Sequence, residues 1–149
     1  KKEKSKNMLM FEEKELKSKI HEASTWKDFN NQVRKNINDN KSLLRNLTRA
    51  DSCVYGASAR SSTLLNSLDL NEGKFKGIAD KNNLKWGKLS PGLGLKIDDP
   101  SNIIDKNIKN IFITAFNFEE EIKIDIKQNL NWNGTVIVPL PNTPRKYLI

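Results

Sequence analysis

One stretch of this chain has residue types spaced for chemistry: Tyr55-Gly56-Ala57-Ser58-Ala59-Arg60-Ser61-Ser62-Thr63. It reads as the end of a short apolar strand, a turn of small residues and the first turn of a helix. Such a join presents bare backbone N–H groups at the positive end of the helix, where phosphates bind. Arg60 can pair with a phosphate, and the hydroxyls of Ser58, Ser61, Ser62 and Thr63 can donate to it. The turn is not a G-x-G-x-x-G dinucleotide loop. Gly56 is its only glycine, and Ala57, Ala59 and Ser61 add side chains where a pyrophosphate needs the closest approach. The same residues also read as a tight strand-to-helix turn with serine capping.

Asp80 closes a second apolar segment 24 residues after Gly56. That is near the spacing at which an acid meets a ribose hydroxyl, although an Asp here can equally open a surface turn. Lys81 and Lys85 beside it can contact phosphate or stay solvated. Phe116-Asn117 and Pro139-Leu140-Pro141 follow two further strand ends, on the edge where open α/β sheets bind ligands. Trp86 and Tyr55 are candidate stacking partners, with buried packing the better reading for Tyr55. Asp98, Asp99 and the run Glu119, Glu120, Glu121 read as solvated helix-start charges rather than general acids or bases.

Cys53 is the only cysteine and His21 the only histidine. No zinc constellation and no nucleophile–base pair can be built from them, so no catalytic residue, metal or cofactor is assigned to this chain. Cys53 falls in a core strand and reads as a small buried hydrophobe; its use without a disulfide partner fits a reducing cytoplasm. His21 falls late in a helix and reads as solvated or facing the C-terminal dipole.

These groups need elements to position them. Residues 8–22 read as a helix with Met8, Leu9, Phe11, Leu16 and Ile20 apolar. Ser24 and Thr25 offer caps for a second helix over 26–47, whose apolar members Trp26, Phe29, Val33, Ile37, Leu44 and Leu47 keep one narrow face. From Asp51 the pattern changes. Strands are expected at 52–55, 75–79, 110–116 and 135–138, with a short extended segment at 95–97. Helices are expected at 58–68, 118–130 and briefly from Asp99-Pro100-Ser101. The tail to Ile149 reads as a loop or docking segment. Near-continuous apolar strands alternating with helices imply a parallel sheet covered on both faces. The fold class is therefore α/β: a small Rossmann-like, mostly parallel sheet with flanking helices over 51–149, preceded at 1–50 by a basic tail and a two-helix N-terminal arm.

The net charge of +8 is uneven, since residues 1–50 hold 13 basic and 7 acidic groups. Half of that +6 excess sits in the opening Lys-Lys-Glu-Lys-Ser-Lys, and no basic stripe is interleaved with stacking aromatics, so nucleic acid is not expected as a partner. No run approaches the ~18 apolar residues of a membrane span, so no membrane partner is expected either.

Five segments together carry a resemblance. They are 55–66, Ile78-Ala79-Asp80-Lys81-Asn82, Lys85-Trp86-Gly87-Lys88-Leu89-Ser90-Pro91-Gly92, Thr114-Ala115-Phe116-Asn117-Phe118, and Gly134-Thr135-Val136-Ile137-Val138-Pro139-Leu140-Pro141. In this order they make residues 8–141 resemble the C-terminal domain of the sugar C-methyltransferases. That family pattern has Ala-Lys-Gly-Asn-Thr where this chain has Ala59-Arg60-Ser61-Ser62-Thr63, and Ala-Trp-Asn at Ala115-Phe116-Asn117. It also has Thr-His-Ile-Pro at Leu93-Gly94-Leu95-Lys96. Arg60 keeps the family's cation, Ser61 tightens any phosphate site, and Phe116 lacks an indole donor. The resemblance implies a three-part parent: a zinc-binding domain, a central S-adenosylmethionine domain and this Rossmann-like domain. It implies that this chain is catalytically inert alone and helps to hold a nucleotide-linked deoxysugar. Backbone N–H groups around Gly56, Ala57 and Ser58, with Arg60 and Thr63, would then meet the diphosphate, Asp80 or Asn117 would meet sugar or base hydroxyls, and Ser62 and Lys81 complete the set assigned to the nucleotide and diphosphate. The arm would pack on the central methyltransferase domain. The alternative is a stand-alone nucleotide-binding regulatory or protein-interaction module.

Overall fold

The structure is a computed structural model that describes residues 4–71 and 73–149, so the first three residues of the basic opening lie outside it. The chain divides into two compact units, Lys1–Lys35 and Asn36–Ile149.

In the first unit, helix α1 (Lys6–Ser18) starts on the Ser5 hydroxyl, which accepts from the Met8 N–H at 3.3 Å. It stops where Lys19 turns left-handed at φ 54°. His21 therefore stands in the turn after α1 rather than late in a helix. Helix α2 (Ala23–Leu44) follows and runs on into the second unit. Helix α1 buries no residue. Met8, Phe11, Trp26 and Phe29 are all exposed, so the expected apolar stripe lies open on this unit.

The second unit holds one sheet. Its strands are β1 (Ser52–Tyr55), β2 (Ile78–Ala79), β3 (Ile97–Asp98), β4 (Asn110–Ile113), β5 (Thr135–Val138) and β6 (Arg145–Leu148). Their spatial order is β3-β2-β1-β4-β5-β6, parallel throughout except for the antiparallel β5–β6 pair. Helices α3 (Ala59–Ser67), α4 (Pro100–Ile103) and α5 (Glu119–Gln128) connect the strands.

Strand alternation explains the two cores. Cys53, Tyr55, Ile111, Ile113, Val136 and Val138 face one side, where Ile122 and Ile126 of α5 and Ile103 of α4 cover them. Val54, Phe112 and Ile137 face the other, against Leu65 of α3 and Leu44 at the end of α2. With both faces buried, the strands read as unbroken apolar runs. Helix α3 leads towards β2 on one face and α5 leads towards β5 on the other, as same-handed crossovers in opposite directions require.

Three further expectations need correction. The tail is not a loop: β6 pairs Arg145 with Val138 and Tyr147 with Val136. The second strand is shorter than 75–79, because only Ile78 and Ala79 pair; Phe75 is buried as a side chain, stacked on Phe112 with ring centroids 5.9 Å apart. Within this unit α2 buries Asn36 and Asn40 together with Leu44, not a purely apolar face. Both Asn side-chain amides donate to Pro139 O, at 3.3 and 3.4 Å, and so hold the loop after β5.

Candidate functional site

The strand order reverses between β1 and β4, and a parallel sheet opens a crevice at its carboxyl edge at such a point. Here that crevice is a cleft of about 350 Å³. The ends of β1 (Tyr55, Gly56) and β2 (Asp80), the loop after β4 (Ala115, Phe118) and the first turns of α5 (Glu121, Ile122, Asp125) line it.

Gly56 is required by packing. Its φ is +101°, and a Cβ there would stand 2.5 Å from Ala115 Cβ. Thr114, buried beneath, fastens the turn: its hydroxyl lies 2.7 Å from Gly56 O and 3.1 Å from Tyr55 O, and its N–H donates to Tyr55 O. Ser58 caps α3 by accepting from the Ser61 N–H at 3.1 Å.

Asp80 is tied into the same turn. Its Oδ2 accepts from the Ala57 N–H at 2.7 Å and from Lys85 Nζ at 2.9 Å, and its Oδ1 accepts from the Asn82 N–H. Trp86 donates its indole N–H to Asp80 O at 2.7 Å, a hydrogen-bonding part rather than a stacking one. The Gly56 N–H is already in the ladder, donating to Ala79 O. The turn's first two N–H groups are therefore engaged within the chain. Among the described residues, the N–H groups of Ala59 and Arg60 at the start of α3 have no intramolecular acceptor.

Across the cleft, Asp125 gathers three donors: Tyr55 Oη at 3.0 Å, Asn129 Nδ2 at 2.6 Å and Lys81 Nζ at 2.6 Å. Burial pushes the Asp125 carboxyl up, but the bonds from Lys81, Asn129 and Tyr55 outweigh it and hold the group below the usual carboxylate range. Burial, and then the Asp125 carboxylate at its hydroxyl, push the Tyr55 phenol up.

Of the residues expected at a site, Gly56, Ala57, Ser58, Asp80 and Lys81 meet in this cleft. Ser62 faces a second groove of about 240 Å³ with Lys85, Lys88 and Ser90, on the other side of Ser58. Arg60 and Asn117 line a crevice of only about 50 Å³, where the Arg60 guanidinium stands 5.9 Å from the centroid of the Phe116 ring. The Thr63 hydroxyl donates to Ala59 O in its own helix. Glu119 is not the solvated charge expected. It is buried and bridges Lys123 and Arg145, each at 2.6 Å. Cys53 is fully buried, and burial pushes its thiol up to about 12. Among the described residues no three His, Cys, Asp or Glu side chains stand close enough to hold a metal ion. No helix among them is long and apolar enough to cross a membrane.

Asp125 is the cleft acid that sequence reading missed, while Glu121, read as a solvated helix-start charge, is exposed at the cleft's edge. The signal for Asp125 was present: it falls three residues after Ile122 and one before Ile126, on the face of α5 that packs inward, where an acid needs partners.

Residues 1–141 match a family model described as the C-methyltransferase C-terminal domain. The chain is also similar to the C-methyltransferase NovU of Streptomyces niveus, with 31% identity over 87 residues, or 58% of this chain and 21% of that protein. The match thus spans about a fifth of the length of that curated relative.

Proposed function

The chain belongs to the C-methyltransferase C-terminal domain family, and from that premise we propose that it holds the nucleotide-linked deoxysugar on which a C-methyltransferase acts. The observation that carries this reading is the make-up of the switch-point cleft. Carboxylates of Asp80 and Asp125 stand beside an apolar wall of Tyr55, Phe118 and Ile122. A sugar ring has the matching pair of surfaces, hydroxyls at its rim and C–H groups on its faces.

On this reading the chain's own residues bind and orient the substrate and perform no transfer step. The methyl comes from S-adenosylmethionine, held with any zinc elsewhere in such a protein. The parent reaction would take a proton from the carbon beside a keto group and pass the resulting enolate the methyl. The open apolar stripe of the first unit, with Met8, Phe11, Trp26 and Phe29 exposed, is the surface offered to the methyltransferase domain.

Titrating the chain with dTDP-glucose while following backbone amide signals tests the binding claim. Shifts are expected at Gly56, Ser58, Asp80 and Lys81, with weak affinity because the domain supplies one wall of the cleft. A folded chain whose spectrum stays unmoved at millimolar ligand would overturn the reading.

A further inference from the structure

Two grooves of opposite polarity meet at the Gly56 turn, and Arg60, the cation nearest the start of α3, stands over Phe116 and lines neither of them. We propose that the ligand straddles the turn: its hydroxyl-bearing ring lies in the acidic cleft, and its diphosphate lies in the second groove against Lys88. This rests on the nucleotide-sugar reading and adds where each half of that ligand goes.

Charge decides the placement. The cleft carries three acids, Asp80, Glu121 and Asp125, against two lysines. Both lysines are already paired, Lys81 with Asp125 at 2.6 Å and Lys85 with Asp80 at 2.9 Å. A diphosphate there would have to displace them and face the carboxylates they leave. The second groove has no acid in its lining. It offers Lys88, which has no ion-pair partner among the described residues, beside Ser58, Ser62 and Ser90, whose hydroxyls bond within the chain: Ser58 caps α3, Ser62 donates to Ser58 O and Ser90 accepts from the Leu95 N–H. Lys85 lines both grooves, so moving its ammonium from Asp80 to a phosphate needs no change of neighbourhood. Releasing Asp80 Oδ2 from Lys85 would in turn leave an acceptor for a ring hydroxyl. A diphosphate over Ser58 and a sugar ring beside Asp80 are thus linked through one lysine.

The test uses the full chain, dTDP as the phosphate probe and thymidine as the probe without phosphate. Lys88 is exposed, so K88E is expected to fold, and its amide spectrum checks this. dTDP is expected to shift Ser58, Lys88 and Ser90, and K88E is expected to weaken it about tenfold or more while leaving thymidine unchanged. If dTDP binds but shifts Lys81 and Asp125 instead, and K81S rather than K88E weakens it, the placement is overturned and the ligand class stands. If dTDP does not bind at all, both fall together.

Discussion

Asp125→Asn asks whether one buried carboxylate organises the cleft. The change keeps the shape and an acceptor oxygen and removes the charge. Three donors point at the native group, from Tyr55 at 3.0 Å and from Asn129 and Lys81 at 2.6 Å. The Lys81 side chain is 65% exposed, so its pair is worth less than about 1 kcal/mol. The other two bonds, to a charged and buried acceptor, are worth about 1.5–3 kcal/mol each, and asparagine can keep one as a neutral bond worth about 1 kcal/mol. Removing the desolvated charge returns part of that, leaving an expected loss of about 2 kcal/mol at neutral pH. The sign with pH follows from the lowered carboxyl. Its contribution is present above the unfolded value of 3.8 and is lost as pH falls through the lower folded value. Urea unfolding of both proteins at about pH 7 and at steps down to about pH 3 should show a gap that narrows in acid. Equal stability at neutral pH, or a gap that stays constant into acid, would refute the reasoning.

Two further perturbations test the frame around the cleft. Gly56→Ala forces a Cβ into a backbone with φ +101° and to within 2.5 Å of Ala115 Cβ. Left-handed strain of about 1–2 kcal/mol and overpacking of about 1–3 kcal/mol together predict a loss above about 2 kcal/mol in urea, and a variant as stable as the parent would show that the turn relaxes freely. Arg145→Ala removes the guanidinium that reaches Glu119 Oε2 at 2.6 Å and Leu140 O at 3.2 Å. Amide exchange at Ile149, whose N–H donates to Gly134 O, should quicken while exchange at Phe112 holds; unchanged exchange at Ile149 would mean that the β5 ladder alone retains β6.

The α/β layering was legible because four parallel strands buried on both faces leave apolar runs that helices alone do not explain. The last strand was not legible, because Arg145, Lys146, Tyr147 and Leu148 form an edge with one half-buried side, and a preceding Pro-rich turn reads as the end of order. Its hold comes from far away in sequence, through Arg145 on Glu119 and Lys123 Nζ 3.9 Å from the Tyr147 ring centroid. Propensity over a local window contains none of that. The same limit applied to the site. Asp80 was visible from its spacing after Gly56, but its engagement with the Ala57 N–H and Lys85 depends on two strand ends lying side by side.

Two departures from the family pattern take on a different sense once placed. Serine at position 61, where the family has glycine, was expected to tighten a phosphate site. Yet Ser61 is buried at 1% exposure, its N–H bound to Ser58 Oγ and its hydroxyl 2.8 Å from that same atom. Its side chain completes the cap. Phenylalanine at 116, where the family has tryptophan, loses an indole N–H but keeps an aromatic face, and Arg60 stands over it. Arg60 is exposed there, and at 5.9 Å from the centroid the contact is worth about 0.5–1 kcal/mol. Phe116 does not line the second groove, whose two cations are Lys85 and Lys88. Phe116→Trp keeps an aromatic face for Arg60 and should leave dTDP affinity unchanged, whereas charge reversal at Lys88 should lower it; a loss with Phe116→Trp and none at Lys88 would refute the placement of the diphosphate.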